Sequence, residues 1–179
     1  MSDRPREREA GKATMTACAD GTDVVEVRAV GWDDAAAVAL RGAMTEEMGA
    51  RYADRVAGNP DYLPRGMNVE AETVVYTGVA YAGADLAVGH VALRRLGDDL
   101  ELKRMFVAPS HRGTGVARAL IAAAEEAARA LGAPRIVLQT GDRQPDAVRL
   151  YEREGYTAIP LYAPYERLAG SHCFEKLLR

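Results

Sequence analysis

Residues 107–120, "VAPSHRGTGVARAL", place Gly113 and Gly115 immediately before an alanine-rich stretch that is typical of a helix. The first turn of a helix exposes backbone N–H groups and the positive end of the helix dipole. Glycines at that point let the backbone approach a ligand closely and adopt positive φ values. Residues 112–117 therefore indicate a cradle for an anion, most simply a phosphate. A glycine-rich turn without a ligand explains the same residues equally well.

Two familiar phosphate-binding loops do not fit this segment. It lacks the Gly-Lys-Ser/Thr ending of a nucleoside triphosphate P-loop. A dinucleotide-binding fingerprint needs a third glycine at the position that Arg118 occupies here, and it follows an early strand of a β-α-β unit. The strand before this segment instead closes a predicted antiparallel meander. The sequence therefore excludes both nucleotide-binding loops.

The cysteines and histidines form no metal-binding or disulfide pattern. Cys18 and Cys173 lie near opposite ends of the chain, which favours a reduced, cytoplasmic setting over a disulfide framework. His90, His111 and His172 share no ligand spacing, so no metal is expected. His90 falls within a predicted strand, where a buried structural histidine is a simpler interpretation than a catalytic one.

The composition is typical of a globular protein with one domain. The chain has 179 residues, of which 48% are hydrophobic and 27% charged, and its net charge is −3. This balance gives no general attraction to nucleic acid or to an anionic membrane. No stretch approaches the roughly 18 apolar residues of a membrane span. Residues 1–22 lack the apolar core of a signal peptide and are expected to form a disordered leader, with Met15 as an alternative start, before a domain at residues 23–179.

The first elements that must position the glycine turn are a strand and a long helix. Residues 23–30, "DVVEVRAV", alternate in hydropathy, which predicts a strand. A helix capped by Asp33 or Asp34 follows. Its apolar positions recur every four residues, at Leu40, Met44, Met48 and Tyr52. The helix is expected to end in "AGNPDYLPRGMN", which is rich in helix breakers and predicts a loop.

The next elements predict a meander followed by a crossover. "ETVVYTGVAY", "LAVGHVALRRL" and "LELKRMFV" are separated by short turns and predict three antiparallel strands. The glycine turn then opens a helix over residues 115–131, which Gly132 and Pro134 terminate. Residues 100–139 therefore predict a right-handed β-α-β unit with two parallel neighbouring strands. A short helix in "QPDAVRLYEREG" and strands in "YTAIPLY" and "SHCFEKLL" complete the order.

Two motifs in this order resemble the GNAT superfamily of N-acetyltransferases. Arg112-x-x-Gly115-x-Ala117, after a strand that ends in "RMFVAP", looks like the acyl-CoA pyrophosphate loop of the family. "QPDAVRLYEREGY" resembles the family segment N-x-x-A-x-x-L-Y-x-x-x-G-F/Y, with Gln144 in place of the usual asparagine. The residues that match in this second motif are Ala147, Leu150, Tyr151, Gly155 and Tyr156. The resemblance implies an α/β GNAT fold, with a mixed central sheet of about six to seven strands and helices on both faces.

The resemblance also implies acetyl-CoA as the acyl donor. In the family, the strand before the loop carries a bulge and diverges from its parallel neighbour, which opens a cleft for the pantetheine arm. The backbone groups that would bond the pantetheine amides belong to Met105, Phe106 and Val107. The N–H groups that would hold the pyrophosphate belong to Gly113, Thr114, Gly115, Val116, Ala117 and Arg118. Arg112, Arg118 and Arg149 are candidates for phosphate contacts, and Gln144 is assigned to the same cofactor site.

Acetyl transfer to an amine needs a neutral amine, a stabilised oxyanion and a proton for the leaving thiolate. The resemblance places Tyr151 beside the coenzyme sulfur, where a phenol with an ordinary pKa of about 10 can act as the acid. The alternative is a core tyrosine that only packs. Alternation along "LELKRMFV" places Glu101 and Lys103 on one face of the sheet. Glu101 is the candidate base or amine-binding group, and a salt bridge on a solvated face is the alternative.

The resemblance implies acetyl transfer to a primary amine by direct attack. Neither cysteine lies in a motif, which argues against a covalent acyl-enzyme. The acceptor is expected to be a small molecule, and acidic residues hint that it is cationic: Glu46, Glu47, Asp54 and Asp61. The alternatives are a non-catalytic acyl-CoA sensor and a protein N-terminal or lysine acetyltransferase. GNAT proteins often dimerise through C-terminal strands, so "SHCFEKLL" is a candidate segment for a homodimer contact.

Overall fold

A computed structural model describes residues 14–16, 25–59, 62 and 68–178. Within the predicted leader it describes only Thr14–Thr16, a short strand (β1) that pairs antiparallel with the strand Val25–Ala29 (β2). The rest of the predicted leader lies outside the described residues. Most of the predicted loop after the long helix, at positions 60–61 and 63–67, also lies outside them.

The described strands form a single mixed sheet of eight strands. After β1 and β2 these are Val74–Ala82 (β3), Leu86–Leu96 (β4), Asp99–Val107 (β5), Arg135–Gly141 (β6), Thr157–Ile159 (β7) and Ser171–Leu177 (β8). Their spatial order is β1-β2-β3-β4-β5-β6-β8-β7. The pairs β3/β4 and β4/β5 are antiparallel, and β5/β6 is parallel. The predicted meander and the predicted parallel crossover are both confirmed.

Three α-helices of the described residues cover the sheet, on both of its faces. They are Ala35–Gly58 (α1), Val116–Ala130 (α2) and Pro145–Arg153 (α3). Apolar side chains of α2 and α3 pack in one core with Leu100 and Leu102 of β5. Ala37 and Leu40 of α1 pack on the opposite face, against Val79 and Phe106. None of the helices in the described part of the chain has the length and apolar character needed to cross a bilayer.

The long helix α1 begins where its cap was predicted. Asp34 Oδ1 accepts hydrogen bonds from the N–H groups of Ala36 and Ala37 at 2.9 and 3.1 Å, which satisfies donors that the first turn leaves free. The helix ends at Gly58, followed by Asn59 in an extended conformation. Asn59 precedes Pro60 in the sequence, and a residue before proline is disfavoured in the helical region.

Strand β5 contains the irregularity that shapes the molecule. Residues 100–102 pair in parallel with residues 136–138 of β6, and the pairing stops there. On its other side, β5 pairs Lys103 with Ala92 but Phe106 with His90, so the strand bulges between these pairs. Arg104, inside the bulge, has a φ of 54°. Because a bulge bends a strand, the last part of β5 separates from β6.

Candidate active site

The separation of β5 from β6 opens a cleft of about 1600 Å³ through the middle of the molecule. One wall is formed by α1, through Met44, Met48 and Tyr52. The floor is formed by residues 102–107 of β5 and 139–141 of β6. The glycine turn and α3 close the far end. A cleft between diverging strands leaves main-chain groups of β5 without the partner strand that they have up to Leu102.

The glycine turn has the conformation that the sequence predicted. Gly113 and Gly115 have φ values of 80° and 93°, and Gly115 is the N-cap of α2. Residues that carry a side chain rarely adopt such φ values, which explains the glycines at these two positions. The N–H of Ala119 bonds to the carbonyl of Gly115 at 3.0 Å. The N–H groups of residues 116–118 precede this first helical bond and have no acceptor within the helix. Their charge and direction suit an anionic group.

The predicted cofactor-binding residues converge on the cleft. Nine of the eleven line it: Met105, Phe106, Val107, Arg112, Gly113, Gly115, Ala117, Arg118 and Gln144. The side chains of the other two point elsewhere. The Thr114 hydroxyl donates to the His111 carbonyl at 2.7 Å and closes the turn. Val116 is buried in the core beneath α2. Only the backbone of these two residues belongs to the anion cradle.

The arginines near the turn are held by carboxylates. Arg112 donates from Nη2 to Glu47 of α1 at 2.6 Å and from Nε to the Val107 carbonyl at 3.0 Å. It therefore joins the glycine turn to α1. Arg118 is 79% exposed and lies 3.8 Å from Glu154. Both side chains can turn to a phosphate only by exchanging a carboxylate partner for it.

Tyr151 of α3 lies on the wall of the cleft and in the main core at once. Its side chain is only 5% exposed, and its ring packs edge-on against that of Tyr156 with centroids 5.7 Å apart. Burial raises the pKa of the Tyr151 phenol above its ordinary value, because a phenolate is poorly solvated there. The phenol is therefore protonated at neutral pH and can donate a proton into the cleft.

Glu101 does not lie on the cleft surface, in contrast to the prediction that it acts there as a base or binds the amine. Its side chain is fully buried on the face shared with Lys103. One carboxylate oxygen accepts from Arg94 Nε at 2.6 Å. The other accepts from the hydroxyls of Tyr165 and Tyr162 at 2.7 and 3.0 Å. With both oxygens bonded, the carboxylate anchors the C-terminal segment to the sheet and has no opening toward an acceptor.

Two cations from the same strand do reach the cleft. Lys103 Nζ donates to the Tyr165 hydroxyl at 2.8 Å, and burial lowers the pKa of Lys103 to about 8. Arg104 is half-buried and lines the cleft beside it. Lys103 could be found from the sequence, because alternation placed it on the face of Glu101. Arg104 could not, because the bulge that exposes this residue has no local sequence mark.

The acidic residues that hinted at a cationic acceptor are largely neutralised. Glu47 pairs with Arg51 and Arg112, and Asp54 pairs with Arg143 at the surface. Glu46 is exposed on α1 and does not line the cleft. The fourth residue, Asp61, lies outside the described residues. These carboxylates therefore give no support for a cationic acceptor.

His90 is a structural histidine, as the simpler interpretation predicted. It is fully buried, its Nδ1 lies 2.8 Å from the Arg104 carbonyl, and its Nε2 lies 3.2 Å from Arg41 Nη1. A carbonyl only accepts and a guanidinium only donates, so the ring is neutral with its proton on Nδ1. Burial lowers the pKa of His90 to about 4. In the described part of the chain, no group of three His, Cys, Asp or Glu side chains is placed to hold a metal ion.

The family model of the acetyltransferase (GNAT) family matches residues 43–156. This range contains the glycine turn, both predicted motifs and most of the cleft. The chain belongs to the GNAT acetyltransferase family, as the two motifs predicted.

Individual relatives agree with this assignment. The IAA acetyltransferase of Azospirillum brasilense is 34% identical over 84 residues, which cover 47% of this chain and 55% of that protein. The chain thus matches about half the length of this curated relative. A Klebsiella pneumoniae protein assigned to the acyl-CoA N-acyltransferases has a similar structure, with a TM-score of 0.69 and 27% identity over 86% of this chain and 97% of that one.

Two further solved structures share the fold. Nourseothricin acetyltransferase has a TM-score of 0.52 and 32% identity, over 58% of this chain and 65% of that one. An N-acetyltransferase of Thermoplasma acidophilum, solved in complex with coenzyme A, has a TM-score of 0.61 and 14% identity over 86% of this chain and 98% of that one. Proteins of this fold therefore include acetyltransferases and a structure with bound coenzyme A.

Proposed function

We propose that the protein transfers an acetyl group from acetyl-CoA to the primary amine of a small molecule. The observation that carries this proposal is the arrangement of the cleft. The glycine turn lies at one end, the unpaired end of β5 forms its floor, and Tyr151 forms part of its wall. Membership of the GNAT family and the names of the relatives support the same reaction.

The residues present suit an acyl-CoA. The free N–H groups at the start of α2, with Arg118 beside them, match a diphosphate in charge. The backbone of residues 105–107 borders the cleft where β5 has lost its parallel partner, so amides of a pantetheine arm can bond there. The bound acyl-CoA would supply an acyl group activated as a thioester.

Tyr151 is the proposed general acid of the reaction. Its phenol is protonated at neutral pH and faces the cleft, so it can give a proton to the departing sulfur. The acceptor amine attacks directly, since the one described cysteine, Cys173, is buried away from the cleft lining. The names of relatives favour a small acceptor, since they include an IAA acetyltransferase and a nourseothricin acetyltransferase.

The test combines cofactor binding with turnover. Acetyl-CoA at 100 times its Kd should stabilise the fold by about 2.7 kcal/mol, measured as a shift in the melting temperature. A panel of primary amines is then screened for release of the coenzyme A thiol. Stabilisation without thiol release from any amine would indicate a sensor and not an enzyme. Absence of stabilisation by acetyl-CoA would refute the cofactor site itself.

The role of Tyr151 has a matched control in Tyr156. Tyr151→Phe should lower kcat by about 100-fold, the lower range for loss of a general acid, and should leave the affinity for acetyl-CoA nearly unchanged. Tyr156→Phe removes the same atom from the packed neighbour that does not line the cleft. Tyr156→Phe should keep kcat within about twofold, because the Tyr156 hydroxyl does not border the cleft where the reaction takes place. Equal losses in the two variants would show that Tyr151 acts only through packing.

A further inference from the structure

We propose that the acceptor is an amino carboxylate whose carboxylate binds the Arg104 guanidinium inside the cleft. This inference rests on the proposed acetyl transfer and specifies the second substrate. Arg104 is the only non-glycine residue with a positive φ in the described part of the chain. Such conformations cost free energy and cluster where a residue is held for a function.

The surroundings hold the Arg104 backbone in place. The buried ring of His90 bonds to its carbonyl at 2.8 Å, and the residue lies in the bulge of β5, between the pairs Lys103–Ala92 and Phe106–His90. Electrostatic neighbours of the guanidinium include Arg94, Lys103 and Tyr165, which lie on the face of the sheet with Glu101. Val116, which follows the glycine turn, and Tyr151 belong to the core on the opposite face. Arg104 is therefore separate from the proposed phosphate cradle.

The Arg104 guanidinium lacks an anionic partner. Within the described ranges it makes no hydrogen bond or ion pair, although it is half-buried. Burial and the nearby Arg94 lower the pKa of Arg104, so the charged form gains from any anion that enters. Arg153 also lines the cleft without a described partner, but its side chain is exposed to water. A half-buried guanidinium without a partner is unusual, because buried charges are normally paired.

The charge of the cleft favours an anionic group. Its lining contains three carboxylates, Glu47, Asp146 and Glu154, and seven Lys and Arg residues, of which three (Arg112, Arg118 and Arg149) are candidates for the cofactor phosphates. Each of these carboxylates already pairs with an arginine. No described carboxylate of the lining is therefore left to bind an ammonium group. The chemistry that fits is a carboxylate on Arg104, with Lys103 nearby.

The carboxylate supplies binding energy that the reacting amine cannot, because attack needs the amine in its neutral form. Apolar side chains of Met44, Met48 and Leu168 line the same cleft, so amino acids with apolar side chains are the best match.

The test compares each amino acid with its own amide, which keeps the amine and the side chain but lacks the negative charge. Leucine with leucinamide and phenylalanine with phenylalaninamide are assayed by thiol release from acetyl-CoA. We expect Arg104→Gln to lower the acid-to-amide ratio of kcat/KM by about tenfold or more, as loss of a charge-assisted bond does. The amine of an amino acid and that of its amide differ in pKa, and this difference affects kcat/KM equally in wild type and variant. It therefore cancels when the two ratios are compared.

Arg95→Gln is the matched control. Arg95 is exposed on β4 and does not line the cleft, so its removal should leave the ratio unchanged. A second readout does not need turnover. 4-Methylpentanoate, the carboxylate of leucine without its amine, should raise the melting temperature of the coenzyme A complex of wild type but not of Arg104→Gln.

The outcomes separate this inference from the proposed function. One outcome is that amines release the thiol but Arg104→Gln leaves the acid-to-amide ratio of kcat/KM unchanged. This result would overturn the inference and leave acetyl transfer standing. Thiol release from no amine would overturn the proposed function, and the carboxylate binding test would then decide the inference alone. An equal response of wild type and Arg104→Gln to 4-methylpentanoate would refute it.

Discussion

Replacing Glu101 with glutamine is expected to reduce the stability of the fold far more than it changes the chemistry. The fully buried carboxylate accepts hydrogen bonds from Arg94 at 2.6 Å, Tyr165 at 2.7 Å and Tyr162 at 3.0 Å. The amide of glutamine is neutral and has a single acceptor oxygen. In Glu101→Gln the Arg94 guanidinium, 6% exposed in its side chain, loses its buried anion.

The size of the effect follows from this burial. Removing one partner of a buried ion pair costs about 3–5 kcal/mol, because that partner no longer offsets the burial of the other charge. For a domain of this length, each 1 kcal/mol shifts Tm by about 2–4 °C. We therefore expect Tm of Glu101→Gln to fall by about 6–20 °C.

Urea unfolding at pH 7, followed by circular dichroism, measures the loss. Glu175→Gln is the matched control, because Glu175 pairs with Arg135 at 2.7 Å while the Arg135 side chain is 40% exposed. Its expected cost is about 0–1 kcal/mol. The reasoning would be refuted if Glu101→Gln were as stable as the control and its rate lost the pH dependence of a general base. Glu101 would then be the catalytic base that the sequence suggested.

Two further predictions concern the core. Gly89→Ala should destabilise the fold by about 1–3 kcal/mol, because its Cβ would lie 2.8 Å from Leu120 Cδ1 and 3.0 Å from Val116 Cγ1. Gly42 lies on α1, and a Cβ there would have no atom within 4 Å, so Gly42→Ala should instead stabilise the fold by about 0.5–1 kcal/mol. Urea unfolding measures both variants, and the opposite ranking of their stabilities would contradict the packing argument. Burial lowers the pKa of His90 to about 4, below the value of about 6.5 expected in the unfolded chain. Stability that is present above pH 6.5 should therefore be lost as the pH falls toward 4, by up to about 3 kcal/mol. His90→Gln should show a smaller loss between pH 7 and pH 4.5, and equal losses in both proteins would show that His90 does not titrate as described.

The order of elements and the glycine turn were predictable because both depend on local sequence. The meander follows from alternation and short turns, and the parallel crossover follows from a strand, a helix and a second strand in succession. The turn follows from two glycines whose positive φ values few other residues tolerate. Each of these features needs only neighbours within a few residues, so periodicity and turn chemistry were sufficient.

The environment of Glu101 was not predictable for the opposite reason. Alternation placed it correctly on the face of Lys103, but what covers that face comes from residues about sixty positions later. Tyr162 and Tyr165 lie between β7 and β8, in a segment without helix or strand. A sequence pattern cannot show that such a segment folds back onto β5. The step from a face of the sheet to an exposed surface was therefore wrong for Glu101, while its role as a base or amine-binding group stays a prediction.

The position of Arg104 also could not be predicted from alternation along the strand, and it determines which acceptor the cleft can bind. In an unbroken strand it would point to the face of Leu102, whereas the bulge turns it toward the face of Glu101. With Glu101 enclosed and the three carboxylates of the lining paired, the cleft has no described carboxylate free to act as a base. The acceptor must then be held by a group other than its amine, which reacts in its neutral form. An acceptor that brings its own carboxylate supplies the anion that Arg104 lacks, and this is why the binding group and the reacting group belong on one substrate.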